Sequence, residues 1–182
     1  MNLIDRISTP RNLVLAIILS AASVMLMASL TQTMVYDIYG DADMPDMMFG
    51  YSYNDIIVAF DNLGTDGLSA WLLAHSIDAI FPIGYSLSLV FGIAMLMRNT
   101  FPNRKQEKII ILLPIIAAIA DFVENMLIAS QAISYPVISE SIIAIASTVT
   151  ILKWLLLYIA FAIVFILLLI FIIKWIRRKS EN

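Results

Sequence analysis

The chain has 182 residues, of which 61% are hydrophobic and only 14% are charged. A soluble protein of this length cannot hide so much apolar surface in one core. The lack of cysteine excludes disulfides and thiolate chemistry, and a single histidine excludes a multi-histidine metal site within one chain. We therefore predict no metal site and no cofactor. Because there is no basic soluble domain, nucleic-acid binding is not predicted either.

Four stretches of the chain are apolar over the roughly 20 residues that a helix needs to cross a bilayer. We predict an all-α integral membrane four-helix bundle that forms a single transmembrane domain over residues 1–182. The fourth span is long enough to be tilted or to extend past the membrane. A cleaved signal peptide is an alternative interpretation of the first span, although no small-residue cleavage site follows it. The predicted spans cover about residues 12–35, 68–97, 108–133 and 141–173.

The basic residues predict the orientation of these spans. Lysine and arginine precede span one, separate spans two and three, and follow span four, so these segments lie on the same side. By the positive-inside rule this side is the cytoplasm, which predicts a multi-pass plasma-membrane protein with both termini inside. Lys153 is the one basic residue within a span. The loop between spans one and two carries only acidic charges, at Asp37, Asp41, Asp43, Asp46, Asp55, Asp61 and Asp66.

That outer loop, residues 36–67, contains a second helical pattern. Ser52 is a favourable N-cap for a short helix from Tyr53 to about Leu63, and Gly64 then favours its end. Ile56, Ile57, Phe60 and Leu63 share one face of this helix. We expect a short amphipathic helix that lies on the outer surface or caps the bundle.

Five ionisable residues fall inside the predicted spans. Each costs about 2.5–3.5 kcal/mol at the centre of a membrane, so they should pair, face inward or contact water. With a rise of roughly 1.5 Å per residue, all five lie about 10–18 Å below the outer surface. Three helices therefore bring charges to one layer: His75 and Asp78 in span two, Asp121 and Glu124 in span three, and Lys153 in span four.

Neighbouring polar residues extend these charges into stripes. Tyr85 continues the face of His75 and Asp78, Asn125 that of Asp121 and Glu124, and Trp154 follows Lys153. A purely structural ion pair of Lys153 is one interpretation. Three carboxylates and one lysine leave excess negative charge, however, which favours a functional cavity open toward the outside. We predict His75, Asp78, Asp121 and Glu124 as catalytic residues and Tyr85, Asn125, Lys153 and Trp154 as ligand-binding residues.

Several motifs resemble a group of small four-helix membrane proteins of prokaryotes. The motifs are Phe49-Gly50-Tyr51-Ser52, Leu63-Gly64-x-x-Gly67, Asp78-x-x-Phe81-Pro82-x-x-Tyr85, Asp121-x-x-Glu124-Asn125 and Lys153-Trp154. The resemblance runs from about Phe49 to Trp154. The resemblance implies a shared intramembrane site but no particular activity. A weaker similarity, in layout alone, is to the emopamil-binding (EXPERA) family, whose catalytic motifs do not align with this chain.

Three functions fit this pattern. The first is a site that binds or chemically processes a lipid or isoprenoid-like amphiphile, with Asp121 and Glu124 as the acid–base pair. The second is a proton- or cation-coupled transporter, although no polar stripe continues to the cytoplasmic side. The third is an assembly subunit that packs against another membrane protein through small residues. The sequence also leaves open that the chain forms a homo-oligomer.

Overall fold

The computed structural model describes residues 3–101 and 107–180, which are helical with short connections and contain no strand. The predicted all-helical fold is thereby confirmed. In the described part of the chain, four helices are long and apolar enough to cross a membrane. The elements are α1 (Leu3–Ile7), α2 (Pro10–Tyr39), α3 (Tyr53–His75), a 3₁₀ segment (Ser76–Ile80), α4 (Phe81–Thr100), α5 (Glu107–Ser134) and α6 (Glu140–Ser180).

Helix α2 begins and ends at residues that suit those positions. The Thr9 hydroxyl accepts a hydrogen bond from the Asn12 amide at 3.2 Å, and Pro10 occupies the first turn, where its missing N–H costs nothing. The helix passes through a π-helical turn at Gln32–Tyr36 and ends before Gly40, whose φ is 96°. It is thus longer than the predicted span 12–35, and the loop expected from residue 36 begins at Gly40.

Helix α3 contains the short amphipathic helix of the outer loop. The Ser52 hydroxyl accepts from the Asp55 amide at 3.3 Å, while Asp55 accepts from the Ser52 amide at 2.7 Å, which forms a capping box. Gly64 adopts φ 61° and ψ −176°, so the chain kinks there and immediately starts the second half of the helix. Ile56 and Phe60 are buried, and the amphipathic half caps the bundle.

The helix of predicted span two is interrupted beside the site. The 3₁₀ segment Ser76–Ile80 separates α3 from α4, and Pro82 lies in the first turn of α4. Proline removes a backbone donor and clashes with the preceding turn of a regular helix, so a new helix starts here. As a result Asp78 lies in the 3₁₀ segment, with its side chain buried.

Helix α4 lies at the centre of the bundle and packs against α2, α5 and α6. We call the end of the bundle near residues 40–52 the acidic end, and the end near Arg98 and Lys174 the basic end. At the basic end, Arg98 donates to the backbone oxygens of Asp5 and Ser8, and Lys174 donates to that of Thr100 at 2.6 Å. These contacts hold α1 and α6 to the end of α4.

Gly84 permits the close approach of α2 to α4. A Cβ atom at position 84 would lie 2.7 Å from the Ser20 nitrogen, whereas one at Gly92, two turns further along α4, meets nothing within 4 Å. We expect Gly84→Ala to lower the free energy of unfolding by about 1–3 kcal/mol, because the helices must separate. Gly92→Ala is the matched control and should be neutral or stabilising, since alanine favours helix. Denaturation of both variants in mild detergent tests this, and equal stability of the two would contradict it.

Candidate functional site

The five ionisable residues predicted inside the spans lie together within the bundle, and all are buried. The end of α3 and the 3₁₀ segment supply His75 and Asp78, α5 supplies Asp121 and Glu124, and α6 supplies Lys153. We call these five residues, with Asn125 and Tyr85, the polar cluster.

Lys153 joins two of the carboxylates. Its Nζ lies 2.5 Å from Oε2 of Glu124 and 3.5 Å from Oδ1 of Asp121. The Tyr85 hydroxyl donates to the other oxygen of Asp121, Oδ2, at 3.0 Å. One ammonium and one phenol therefore hold the two α5 carboxylates against α6 and α4. Removal of Lys153 would leave two buried carboxylates without their counter-charge, and removal of the phenol would take a hydrogen bond from Asp121.

Asn125 connects the second half of the polar cluster. Its Nδ2 donates to Asp78 Oδ2 at 2.7 Å and lies 3.5 Å from Asp121 Oδ1. Its Oδ1 lies 3.4 Å from His75 Nε2, which is itself 3.8 Å from Asp78 Oδ2. The imidazole also stacks on Trp71, with ring centroids 4.4 Å apart. His75 is thus oriented by three neighbours, as a hydrogen-bonded core residue would be.

The polar cluster contains more negative than positive charge. Asp78, Asp121 and Glu124 carry three formal negative charges, and Lys153 carries one positive charge. Even a protonated His75 would leave one negative charge in excess. Within the described residues, Oε1 of Glu124 has no hydrogen-bond partner, although this side chain is only 1% exposed. At least one carboxyl must therefore be protonated, hydrated or balanced by a bound cation.

A cavity of about 250 Å³ opens beside the polar cluster. Asp78, Asp121, Lys153, Tyr85 and Trp154 contribute to its wall, so five of the eight predicted site residues line it. Glu124, Asn125 and His75 do not line this cavity and lie behind it, around a void too narrow for water. The remaining wall is formed by Val24, Met27, Met47, Phe81, Leu157 and Phe161.

An apolar groove of about 610 Å³ adjoins the cavity. The two share Tyr85 and Phe161, and from Tyr85 the groove follows α4 to Asn99, a rise of about 21 Å. Ile17 and Leu168 on its walls are about half exposed, so the groove opens at the side of the bundle. The other lining residues are Leu13, Ser20, Ala21, Ser88, Leu89, Gly92, Met95, Leu96, Val164 and Phe171.

Residues 40–52 cross the acidic end of the cavity, a role that sequence reasoning missed. The Trp154 indole N–H donates to the Met48 carbonyl at 2.9 Å, and the Thr150 hydroxyl donates to the Tyr51 hydroxyl at 3.1 Å. The Tyr51 amide donates in turn to Ser147 Oγ at 2.9 Å. The sequence signal for this role is the motif Phe49-Gly50-Tyr51-Ser52, because two aromatic residues are unusual in a fully solvated loop.

The chemistry open to this arrangement is proton transfer and hydrogen bonding. Among the described residues no group of His, Asp and Glu is arranged to hold a metal ion. Asp78 and Asp121 reach the cavity and could exchange a proton with a bound molecule. Glu124, which was predicted as half of the acid–base pair, contacts Lys153 and is placed to position that ammonium.

No protein-family model, curated protein or solved structure matches the chain. These comparisons therefore do not bear on the two resemblances drawn from the sequence.

Lys153 should be essential for stability. We expect Lys153→Met to lower the free energy of unfolding by about 3–5 kcal/mol, because Asp121 and Glu124 lose their buried counter-charge. Denaturation in mild detergent measures the change, with Lys179→Met, at an exposed position near the end of α6, as the control.

A rescue variant separates this charge effect from a packing defect. The addition of Glu124→Gln to Lys153→Met removes one uncompensated carboxylate and should recover part of the lost stability. A Lys153→Met protein that unfolds like the wild type, or a double variant that is no more stable than the single one, would contradict the buried ion pair.

Proposed function

We propose that the chain is a four-span plasma-membrane protein, with both termini in the cytoplasm, that binds a lipid or isoprenoid-like amphiphile. The polar head would occupy the cavity beside the polar cluster, and the hydrocarbon chain would lie in the apolar groove. The acidic end would face outward and the basic end inward, in agreement with the distribution of lysine and arginine.

The observation that carries this proposal is that the two spaces adjoin. A cavity lined by carboxylate, ammonium and phenol groups shares Tyr85 and Phe161 with a groove that is almost wholly apolar. Ligand sites typically combine an apolar wall with a few convergent polar groups. The groove also opens sideways, so that a molecule dissolved in the bilayer could enter without crossing water.

The proposed function is binding of an amphiphile, to which chemical processing of its head would be an addition. A head in the cavity would contact Asp78, Asp121 and Lys153, which supply proton acceptors and one cation at the same place. Such groups suit proton transfer, as in an isomerisation or a water-assisted hydrolysis. His75, Glu124 and Asn125 would position these groups without contact to the ligand.

Transport is the second candidate and has less support. Beyond Tyr85, the buried side chains of α4 are apolar as far as Met97, including Leu89, Val90 and Ile93. A proton or cation path would need polar groups or water through this half of the bundle. The structure gives no specific support to an assembly subunit.

Native mass spectrometry of the protein in mild detergent tests the ligand site. We expect a lipid-sized adduct on the wild type and its loss in Gly92→Phe, because the new ring would fill the groove where a Cβ atom meets nothing within 4 Å. Ile119→Phe, at a residue that is 56% exposed and lines neither space, is the matched control and should keep the adduct. An adduct that persists in Gly92→Phe, or is absent from the wild type, would contradict the proposal.

The orientation can be tested because the chain contains no cysteine. Single cysteines introduced by Asp43→Cys and Lys179→Cys lie at exposed positions near opposite ends of the bundle. In intact cells a membrane-impermeant maleimide should label position 43, and position 179 should react only after permeabilisation. The reverse pattern would overturn the proposed topology.

A further inference from the structure

We infer that the amphiphile has a positively charged head, such as an amine, and is neither a fatty acid nor a lipid phosphate. This inference rests on the proposed function and goes beyond it, since the proposed site alone would admit any head group. Three features of the described residues carry it: the charge balance of the polar cluster, the aromatic wall of the cavity, and the acidic approach to it.

The charge balance disfavours an anionic head. Among the described residues that line the cavity, Lys153 is the only cation, and its ammonium already contacts Glu124 at 2.5 Å and Asp121 at 3.5 Å. An anion would have to compete with two carboxylates for this ammonium while it faced Asp78 and Asp121 across the same small space. A cationic head would instead reduce the excess negative charge that the cluster carries.

Aromatic rings complete a wall suited to a cation. Phe81, Tyr85, Trp154 and Phe161 all line the cavity, and the first two rings meet edge to face at 5.2 Å. A cation over the face of such a ring is attracted by its quadrupole, most strongly for tryptophan. Lys153 already makes this contact, with Nζ 5.3 Å from the centroid of Trp154. Aromatic rings beside carboxylates together form a site that suits an ammonium group.

The surface of the acidic end also favours a cationic ligand over an anionic one. Met47, a residue that is 80% exposed, lines both the cavity and an outer pocket of about 700 Å³. Asp41 and Asp43 border this pocket, and no lysine or arginine of the described chain does. A field of one sign at the mouth of a cleft concentrates ligands of the opposite sign.

Saturated alkyl probes of one chain length and four heads test the inference: a primary amine, an alcohol, a carboxylate and a phosphate monoester. Their affinities are measured by native mass spectrometry and by thermal shift in a non-ionic detergent. We expect the amine to bind about tenfold tighter than the alcohol, because a charge-assisted hydrogen bond replaces a neutral one. The carboxylate and the phosphate should bind most weakly.

Substitutions in the cavity and in the groove connect the preference to the site. Asp78→Asn should bring the ratio of amine to alcohol affinity close to one, while the same substitution at the exposed Asp66, outside both spaces, should leave the ratio as in the wild type. If Asp78→Asn does not fold, Asp121→Asn provides the same comparison. Gly92→Phe should weaken all the probes that bind, since they share the groove.

The outcomes distinguish this inference from the proposed function. A carboxylate or phosphate that binds as tightly as the amine, with loss in Gly92→Phe, would overturn the cationic head and leave the amphiphile site standing. An amine preference that survives Asp78→Asn, or Asp121→Asn where Asp78→Asn does not fold, would also overturn it, because the charge recognised would lie elsewhere. Failure of every probe to bind would overturn the proposed function and this inference together.

Discussion

The contact of Lys153 with Glu124 and Asp121 is the interaction on which the rest of the structure depends. It brings opposite charges together among helices that are apolar enough to cross a membrane, and it joins α6 to α5. An ion pair of this kind rarely adds net stability over an apolar contact, because both charges must be desolvated. The proposed ligand site gives a reason for this pair to lie beside Asp78, which adds further negative charge.

The shape of the site follows from the way in which the helices accommodate these charges. The interruption of the second apolar stretch at Ser76–Ile80 turns Asp78 toward Asn125, and Gly84 lets α2 approach α4 just below the cavity. Residues 40–52 then cross the acidic end and are held to α6 by Trp154 and Thr150. These contacts place Met47 in the cavity wall, while Tyr85 and Phe161 line both the cavity and the groove.

Much of this could be predicted from the sequence, since apolar length, the Ser52 cap and the spacing of Asp121, Glu124 and Asn125 are local signals. The grouping of the charges was predictable too, because buried charges must find one another. The π-helical turn of α2 and the path of residues 40–52 depend on tertiary contacts that leave no periodic pattern. Asp121 lines the cavity and Glu124 does not, although both lie on the same face of α5. This difference follows from side-chain packing, which the sequence pattern does not show. The groove arises from apolar residues of three helices, which the sequence cannot distinguish from ordinary core.

Photo-crosslinking with a long-chain alkylamine tests most directly whether the cavity and the groove form one site. The diazirine is placed beside the head in one probe and at the far end of the chain in the other, and the labelled residues are mapped by peptide mass spectrometry. The account predicts head labels at Phe81, Tyr85 or Trp154 and chain-end labels near Leu96, Asn99 or Phe171. Labels from both probes on the same residues, or on the outward face of α2, would contradict a single continuous site.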